Sequence, residues 1–430
     1  MSDYNFYYEL KNSEAVVYNS KTKKVTTMKV NDVYKLKRHY SLLVGYEANE
    51  ESLIQFASDF FVWVDQLKTN DIYTFDYLKY ASHETACVQM FKKICYGKYE
   101  HMHDIDPIEY EWIESCNNAG LRYCKRGKYD CHGYDYSSHY PAILASESFA
   151  IPTQQGTLRT IKALSDITTK YEVGYYKVKI TSNDERFNKI FAYSKKHVYT
   201  QISVYLAVHC RDKEKLNVNI EVIDEENNCY VYGKNMKDKV TKGSIIFGKW
   251  YRYLFQLKEK FPKNKLIKYM TSALWGRLAE HNRLFKTEEQ IVEEGLDVVL
   301  RYNVNHKYYI RNITQNRKHE DLCEIVNCKN PYYYKIARIK PFLLDKARYL
   351  TAKVALKYID DVVRICVDNV TFDKEHDDVM YHTNTFKLVK EEKTTGLIAF
   401  RRYDCYRNFT NEKYTTKHYY KNILDDEECE

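Results

Sequence analysis

Apolar positions return every three or four residues along several stretches of this chain, the spacing of a buried helix face. Glu51-Ser52-Leu53-Ile54-Gln55-Phe56-Ala57 with Phe60-Phe61-Val62-Trp63-Val64 predicts one amphipathic helix, and Leu78, Ala81, Ala86, Met90, Phe91 and Ile94 predict another over 76–96. A third opens at Asp106-Pro107, where the aspartate caps and the proline takes a position whose N–H has no helical partner; Trp112 and Ile113 supply its core residues. Phe247 to Phe261 and Lys265 to Glu280 read as two helices joined at Pro262-Lys263-Asn264 and lying antiparallel. Residues 281–335 are polar and poorly periodic, with one short helix around 288–300. Residues 341–360 carry the strongest helical repeat, through Phe342, Leu344, Ala347, Leu350, Val354, Ala355 and Tyr358.

Alternation with a period of two marks strands. Gly174 to Ile180 and Leu216 to Val222 make 171–231 β-rich. Asp361 to Val367 and Val370-Thr371-Phe372 form a strand pair, with Asp368-Asn369 as the tight turn. Asn117 to Tyr123 reads as a turn into a strand, and Lys125-Arg126-Gly127-Lys128 as a basic hairpin tip, either a solvated loop or a phosphate contact. Tyr134-Asp135-Tyr136-Ser137-Ser138-His139-Tyr140-Pro141 fits a strand that presents an aspartate and turns sharply into a helix, with Pro141 in the first turn. Taken alone, Asp135 reads as readily as a helix cap, and Asp368 as a turn residue. The mixture of elements is α+β.

The 430 residues are 44% hydrophobic and 29% charged, a composition that folds, over a length that suggests roughly two or three domains or subdomains. No apolar run is long enough for a membrane span, and Met1 to Phe6 lacks the basic and apolar regions of a secretory signal, so an intracellular protein is expected. Twelve cysteines stand scattered with no CxxC pair; Cys323 and Cys328 come nearest to a ligand spacing, so reduced thiols are expected and zinc is not. A net charge of +8 permits a polyanionic partner without demanding one. The 43 tyrosines could stack on bases, although biased codon usage explains most of them, along with the abundant Lys and Asn. The acidic end, Asp425 to Glu430, is expected to fray.

Three stretches together resemble family B DNA polymerases. Asp135-Tyr136-Ser137-Ser138-His139-Tyr140-Pro141 is similar to the first palm motif, Asp-x-x-Ser-x-Tyr-Pro. Lys268 to Gly276 resembles the fingers motif, Lys-x-x-x-Asn-Ser-x-Tyr-Gly. Val363 to Asn369 resembles the second palm motif, Tyr-x-Asp-Thr-Asp-Ser. They stand in the family's order. Asn118-Ala119-Gly120 matches a template-contacting turn, Pro341 to Arg348 the helix before the last palm motif, and Arg401-Arg402-Tyr403 the Lys-x-Tyr that touches the primer. The resemblance spans 75–410 and points to the viral, plasmid and protein-primed branch.

That resemblance implies a palm with an antiparallel sheet, helical fingers and a short thumb. It divides the chain into a helical N-terminal region or exonuclease remnant (1–115), a first palm segment with an insertion (116–242), fingers (243–280), a connector or insertion (281–335), a second palm segment (336–375), and a thumb remnant with the acidic tail (376–430). It implies primer–template DNA and deoxynucleoside triphosphates as partners, with a terminal protein as an alternative primer. Asp135 and Asp368 would hold two Mg²⁺ ions, or Mn²⁺ in their place. Lys258 and Lys268 would grip the triphosphate, Ser138 would contact phosphate, Tyr140 would exclude a 2′-hydroxyl, and Trp275 would cover the nascent pair. Asn118, Gly120, Arg401, Arg402 and Tyr403 would contact DNA.

The chain departs from the pattern at Cys366 (Asp in the family), Arg364 (Tyr), Ser272-Ala273 (Asn-Ser) and Trp275 (Tyr). No Asp-x-Glu of an exonuclease stands in 1–110, so proofreading is not expected. Two alternatives stand beside an active polymerase: an inactive relic that still binds nucleic acid, and an unrelated basic nucleic-acid-binding protein.

Overall fold

A computed structural model describes residues 3–10, 13–43, 48–98, 100–116, 119–234, 239–315, 321–383 and 386–416. The chain forms two compact units, each assembled from two separated segments: Met1–His101 with Ile246–Ala337, and Met102–Ile245 with Arg338–Glu430. The second unit is therefore interrupted by the first.

The first unit opens with a four-stranded sheet in the order Lys24–Lys29, Glu14–Asn19, Asn5–Glu9, His39–Ser41. This corrects the expectation of a helical 1–115: the strands are short, and their apolar residues do not alternate cleanly enough to announce them. The helix Glu50–Thr69 buries Phe56 and Phe60 against Phe6 and Tyr40 of the sheet, with ring centroids 4.6 Å (Tyr40–Phe60) and 5.2 Å (Phe6–Phe60) apart. Asn49 and Ser52 cap that helix reciprocally. Of the span 76–96, His83–Ile94 is α-helical. The helix Lys265–Leu278 packs on it, with the Cys87 thiol donating to the Met270 carbonyl and the Tyr269 hydroxyl to Glu84 at 2.9 Å. The poorly periodic segment 281–335 holds a second four-stranded sheet: Arg283–Lys286, Asp321–Asn327, Tyr308–Gln315, Val298–Val299. In its long hairpin Tyr308–Gln315 is mostly solvent-facing while Asp321–Asn327 buries Cys323 to Val326 in a row, so neither strand carries an alternating pattern.

In the second unit a five-stranded sheet covers the predicted β-rich region, led by Val173–Ser182. The helix Gln201–Asp212, capped by Thr200, lies within that region, where the sequence pattern predicts strands. The helix Lys340–Lys357 packs against it and against His139–Leu144, burying residues on most of its faces. Asp106 accepts from the Glu109 N–H at 2.7 Å as its predicted cap role requires, and opens the helix Pro107–Ser115.

The sheet that matters for function has eight strands: β1 (Arg122–Cys124), β2 (Gly127–Tyr136), β3 (Val362–Cys366), β4 (Asn369–Phe372), β5 (Tyr381–His382), β6 (Lys387–Lys390), β7 (Gly396–Arg402) and β8 (Cys405–Asn408). Its order is β5-β6-β2-β4-β3-β1, with β7 also pairing β2 and β8 pairing β7. All the described pairings within it are antiparallel. No helix among the described residues is long and apolar enough to cross a membrane, and the described cysteines are free.

Two buried histidines make stability pH-dependent. His83 sits between the Tyr77 hydroxyl (2.7 Å) and the Ser41 carbonyl (3.2 Å), and burial holds it down at about 4. His139 is held at about 4 by burial as well. Below the ordinary value near 6.5 the unfolded chain takes up protons that the native state refuses. Stability from these groups is therefore complete above about pH 6.5 and is lost as pH falls towards 4, by up to about 3 kcal/mol each. Thermal denaturation should show this decline, and His83→Gln should flatten it. An identical pH slope in wild type and variant would remove His83 from the account.

Candidate active site

β2 is the strand from which the site is built. Asp135, its penultimate residue, stands opposite Asn369 of β4 on one side and opposite Val389 of β6 on the other. Cys366 stands opposite Asn369, so β3 and β4 are joined by a two-residue loop, Val367-Asp368. The turn is thus displaced by one residue from the predicted Asp368-Asn369, and Asn369 already belongs to β4. The Tyr136 N–H donates to the Asp368 carbonyl at 3.2 Å, which ties the two aspartate-bearing segments together at their ends.

Both aspartates sit beside strained backbone. Val367 has φ +61°, a conformation that a β-branched residue rarely adopts and that the first central position of such a hairpin loop usually gives to glycine. It is held there by its N–H to the Leu121 carbonyl (2.8 Å) and by the Thr351 hydroxyl donating to its carbonyl (2.9 Å). Gly120 leaves room for it: a Cβ at Gly120 would come 2.9 Å from Val367 Cγ2. Ser138, three residues past Asp135, has φ +55° and turns the chain into the helix His139–Leu144. Pro141 is the third residue of that helix, still among the N–H positions that no helical carbonyl reaches. Strain of this kind, about 1–3 kcal/mol per residue, gathers where function needs a fixed geometry.

The electrostatics couple the two carboxylates. Asp135 is pushed up to about 8, first by burial, then by the negative charge of Asp368, then by Glu391; Lys393 and Arg364 act against this. Asp368 is raised by burial and by Glu391. The Tyr140 phenol is raised to about 12 by burial and by Asp368, with Arg348 and Arg122 opposing. Carboxylates brought together in a largely buried place behave in this way.

Glu391 carries no signal in the sequence, where Lys390-Glu391-Glu392-Lys393 looks like an exposed charge run. In the fold its Oε2 accepts from Asn369 Nδ2 (2.8 Å) and Thr394 Oγ1 (3.0 Å), and its Oε1 faces Lys393 Nζ at 3.0 Å. Arg364 is buried and donates to Asn369 Oδ1 and to the Tyr403 carbonyl, both at 2.6 Å. A cation at the pattern's tyrosine position thus orients the residue that follows Asp368. Gly133 completes the arrangement: a Cβ there would overlap Thr394, so the turn carrying Glu391 and Lys393 can lie directly on β2.

Asp135, Asp368, Tyr140, Ser138 and Gly120 come together in this one unit. Arg401 and Arg402 end β7, where Arg402 pairs with Asp404 at 3.0 Å. Tyr403 lies in the β7–β8 turn with its ring 4.9 Å from the Arg122 guanidinium. Lys258 lies near the end of the helix Gly243–Lys260 in the other unit. Lys268 and Trp275 occupy one face of Lys265–Leu278, seven residues apart, Lys268 exposed and Trp275 half-buried. Asn118 lies outside the described residues.

No protein-family profile and no curated protein sequence matches the chain. Solved structures do. Phi29 DNA polymerase complexed with primer–template DNA and incoming nucleotides superposes with a TM-score of 0.54 at 13% identity, covering 91% of this chain and 70% of that one. Its post-translocation binary complex with primer–template DNA gives 0.53 at 12% identity, over 91% and 69%. Its complex with single-stranded DNA gives 0.52 at 12% identity, over the same shares. The likeness is one of fold: the chain shares the α+β fold of Phi29 DNA polymerase, the kind of fold its motifs lead one to expect.

The charge of Asp368 is the second cause of the high Asp135 value. Asp368→Asn should therefore lower the Asp135 titration midpoint below about 8, read by carboxyl ¹³C NMR. An unmoved midpoint would mean that the two carboxylates do not face each other.

Proposed function

We propose that this chain is a DNA-directed DNA polymerase. It adds deoxynucleotides, on a DNA template, to a primer 3′-hydroxyl or to a hydroxyl presented by a terminal protein, without proofreading. The observation that supports this most is the register of Asp135 against Asn369, which sets Asp135 beside Asp368 at the end of a β-sheet.

Two carboxylates offering only oxygen suit a hard divalent ion. Among the described residues no three His, Cys, Asp or Glu side chains converge on a single metal position. A site with few protein ligands leaves coordination positions for water and triphosphate oxygens, which is how Mg²⁺ is held where phosphoryl groups are transferred. Asp135 and Asp368 are the residues that would hold Mg²⁺, or Mn²⁺. When bound, two such ions lower the pKa of the attacking hydroxyl and offset charge on the leaving pyrophosphate.

The chain's own residues do the rest. Tyr140, close to Asp368, packs beneath the sugar and leaves no room for a 2′-hydroxyl. Lys258 and Lys268 attract the triphosphate, Ser138 contacts it, and Trp275 lends an aromatic face to the nascent base pair. Gly120 and the Arg401-Arg402-Tyr403 segment meet the DNA backbone. Lys393, which faces Glu391 and acts on Asp135, is a further cation that a primer phosphate would meet.

Cys366 and Arg364 favour a second reading, an inactive relic that retains nucleic-acid binding. Relative to the family pattern they remove one acid and add one buried cation. Primer extension with Mg²⁺ and deoxynucleotides separates the two. Extension should be measurable in the wild type and fall on the order of a thousandfold in Asp135→Asn and in Asp368→Asn, with DNA binding kept. A wild type without extension would leave only the relic, and undiminished activity in either variant would sink the assignment of these carboxylates.

Metal binding must displace the proton that Asp135 keeps up to about pH 8. The Mg²⁺ concentration for half-maximal extension should rise roughly tenfold per pH unit below that value and level off above it. Equal half-saturation at neutral and alkaline pH would contradict this.

A further inference from the structure

The unit built from Met102–Ile245 and Arg338–Glu430 contains a cavity of about 280 Å³ whose lining takes no part in the polymerase chemistry above. Three elements meet there. Lys346 and Tyr349 come from the helix Lys340–Lys357, one turn apart. Gln201, Ile202 and Tyr205 come from the first turns of the helix Gln201–Asp212. Tyr171 comes from the turn before the strand Val173–Ser182. Its φ is +44°, a left-handed conformation that few tyrosines adopt, and its N–H is fixed on the Ile167 carbonyl at 2.7 Å. Strain of that kind persists where a side chain has to be held in one place.

The cavity combines one cation with aromatic walls. Lys346 is half-buried, its Nζ 5.3 Å from the Tyr349 ring centroid. Burial lowers its pKa, and the neighbouring charge that acts on it is the like charge of Lys353. No acidic residue lines the cavity. An ammonium group so placed calls for an anion. Gln201, whose side-chain oxygen accepts the Gly174 N–H at 3.2 Å, keeps its NH₂ group as a further donor. Tyr205 is 40% exposed and stands edge-on to Tyr171 (centroids 5.3 Å apart, planes at 75°) and to Tyr349 (5.8 Å, 66°). A flat ring can lie on the face of one tyrosine and meet the edge of the next. The volume sits at the lower end of small-molecule sites, about 300–1,000 Å³, which gives room for one ring and not for a nucleoside triphosphate. One ammonium group matches one carboxylate, whereas a phosphate would call for more donors.

We infer that this cavity binds a small single-ring aromatic carboxylate, with the carboxylate on Lys346 and the ring among Tyr171, Tyr205 and Tyr349. The site uses neither Asp135 nor Asp368, and it does not rest on the polymerase function.

The test is a titration of the full chain with trifluoromethylbenzoate, followed by fluorine NMR without metal, nucleotide or DNA. Wild type should bind the probe saturably, and benzoate should displace it. Lys346→Met should weaken binding roughly tenfold, the scale of a hydrogen bond to a charged group. Tyr205→Leu, at a partly exposed position, should weaken it roughly threefold. Both variants are checked as native by circular dichroism. Absence of saturable binding, or native Lys346→Met binding the probe as wild type does, would overturn the inference. So would displacement by benzyl alcohol, by acetate or by inorganic phosphate as strong as that by benzoate, since the first lacks the charge, the second the ring and the third the carboxylate. Displacement by thymidine triphosphate would give the cavity to the polymerase substrate and overturn it as well. Asp135→Asn should bind the probe like wild type. If that variant also extends primers like wild type, the polymerase function is refuted and the carboxylate site is not.

Discussion

The register between β2 and β4 is the constraint on which the site depends. Side chains alternate across a sheet, so a slip of one residue would send Asp135 to the opposite face and leave Asp368 without its neighbour. Several independent interactions hold the register: the ladder from Asp135–Asn369 to His132–Phe372, the Tyr136 N–H on the Asp368 carbonyl, and β6 and β7 fixing the other edge of β2. The buried Tyr134, Val370 and Phe372 anchor it from below. Burying Asp135 and setting it beside a like charge both cost stability, and the raised Asp135 value reflects the two together, burial first.

Beneath the aspartates the molecule uses buried polar groups in connected sets. Arg364, Asn369, Glu391 and Thr394 form one, in which each described contact satisfies a group that would otherwise be stranded. A second holds the base of the same unit. Arg338 and Glu109, both fully buried, meet at 2.7 Å and 2.9 Å. The Tyr232 hydroxyl donates to Glu109 at 2.7 Å, and Arg338 also reaches the His103, Asp104 and Thr153 carbonyls. Removing one partner of such a pair leaves an uncompensated charge, a loss of about 3–5 kcal/mol. The Arg338 clamp joins the start of the helix Lys340–Lys357 to the helix Pro107–Ser115, segments more than two hundred residues apart in sequence.

Much of the chain's local structure can be read from its residues. The helices at Glu50–Thr69, Pro107–Ser115 and Lys265–Leu278 follow apolar spacing and capping residues, Lys340–Lys357 follows its apolar spacing, and the Val362–Phe372 hairpin follows its β-branched, apolar strands, with the turn one residue earlier than expected. Short strands in the first forty residues and the hairpin between Tyr308 and Asn327 are harder to read. Asn5–Glu9, Glu14–Asn19 and Asp321–Asn327 bury consecutive residues on both faces, and Tyr308–Gln315 is mostly exposed, so none shows a period of two. The helix Gln201–Asp212 is hidden because Ile202, Val204, Tyr205 and Val208 also suit strands, and packing against Lys340–Lys357 decides the matter.

By itself the sequence singled out the candidates for the chemistry: Asp135, Asp368, Tyr140 and Ser138 stand in stretches whose residue types and order resemble the palm motifs of family B DNA polymerases. Tertiary structure alone decided that Asp135 stands beside Asp368, that Glu391 and Lys393 join them, and that Arg364 acts from inside the sheet through Asn369. The physical reason is that a motif is local, whereas an electrostatic environment is built by chain segments that meet only when the strands pair. Glu391 and Glu392 look alike in sequence; only the turn packed on Gly133 gives Glu391 its place beside Asp135.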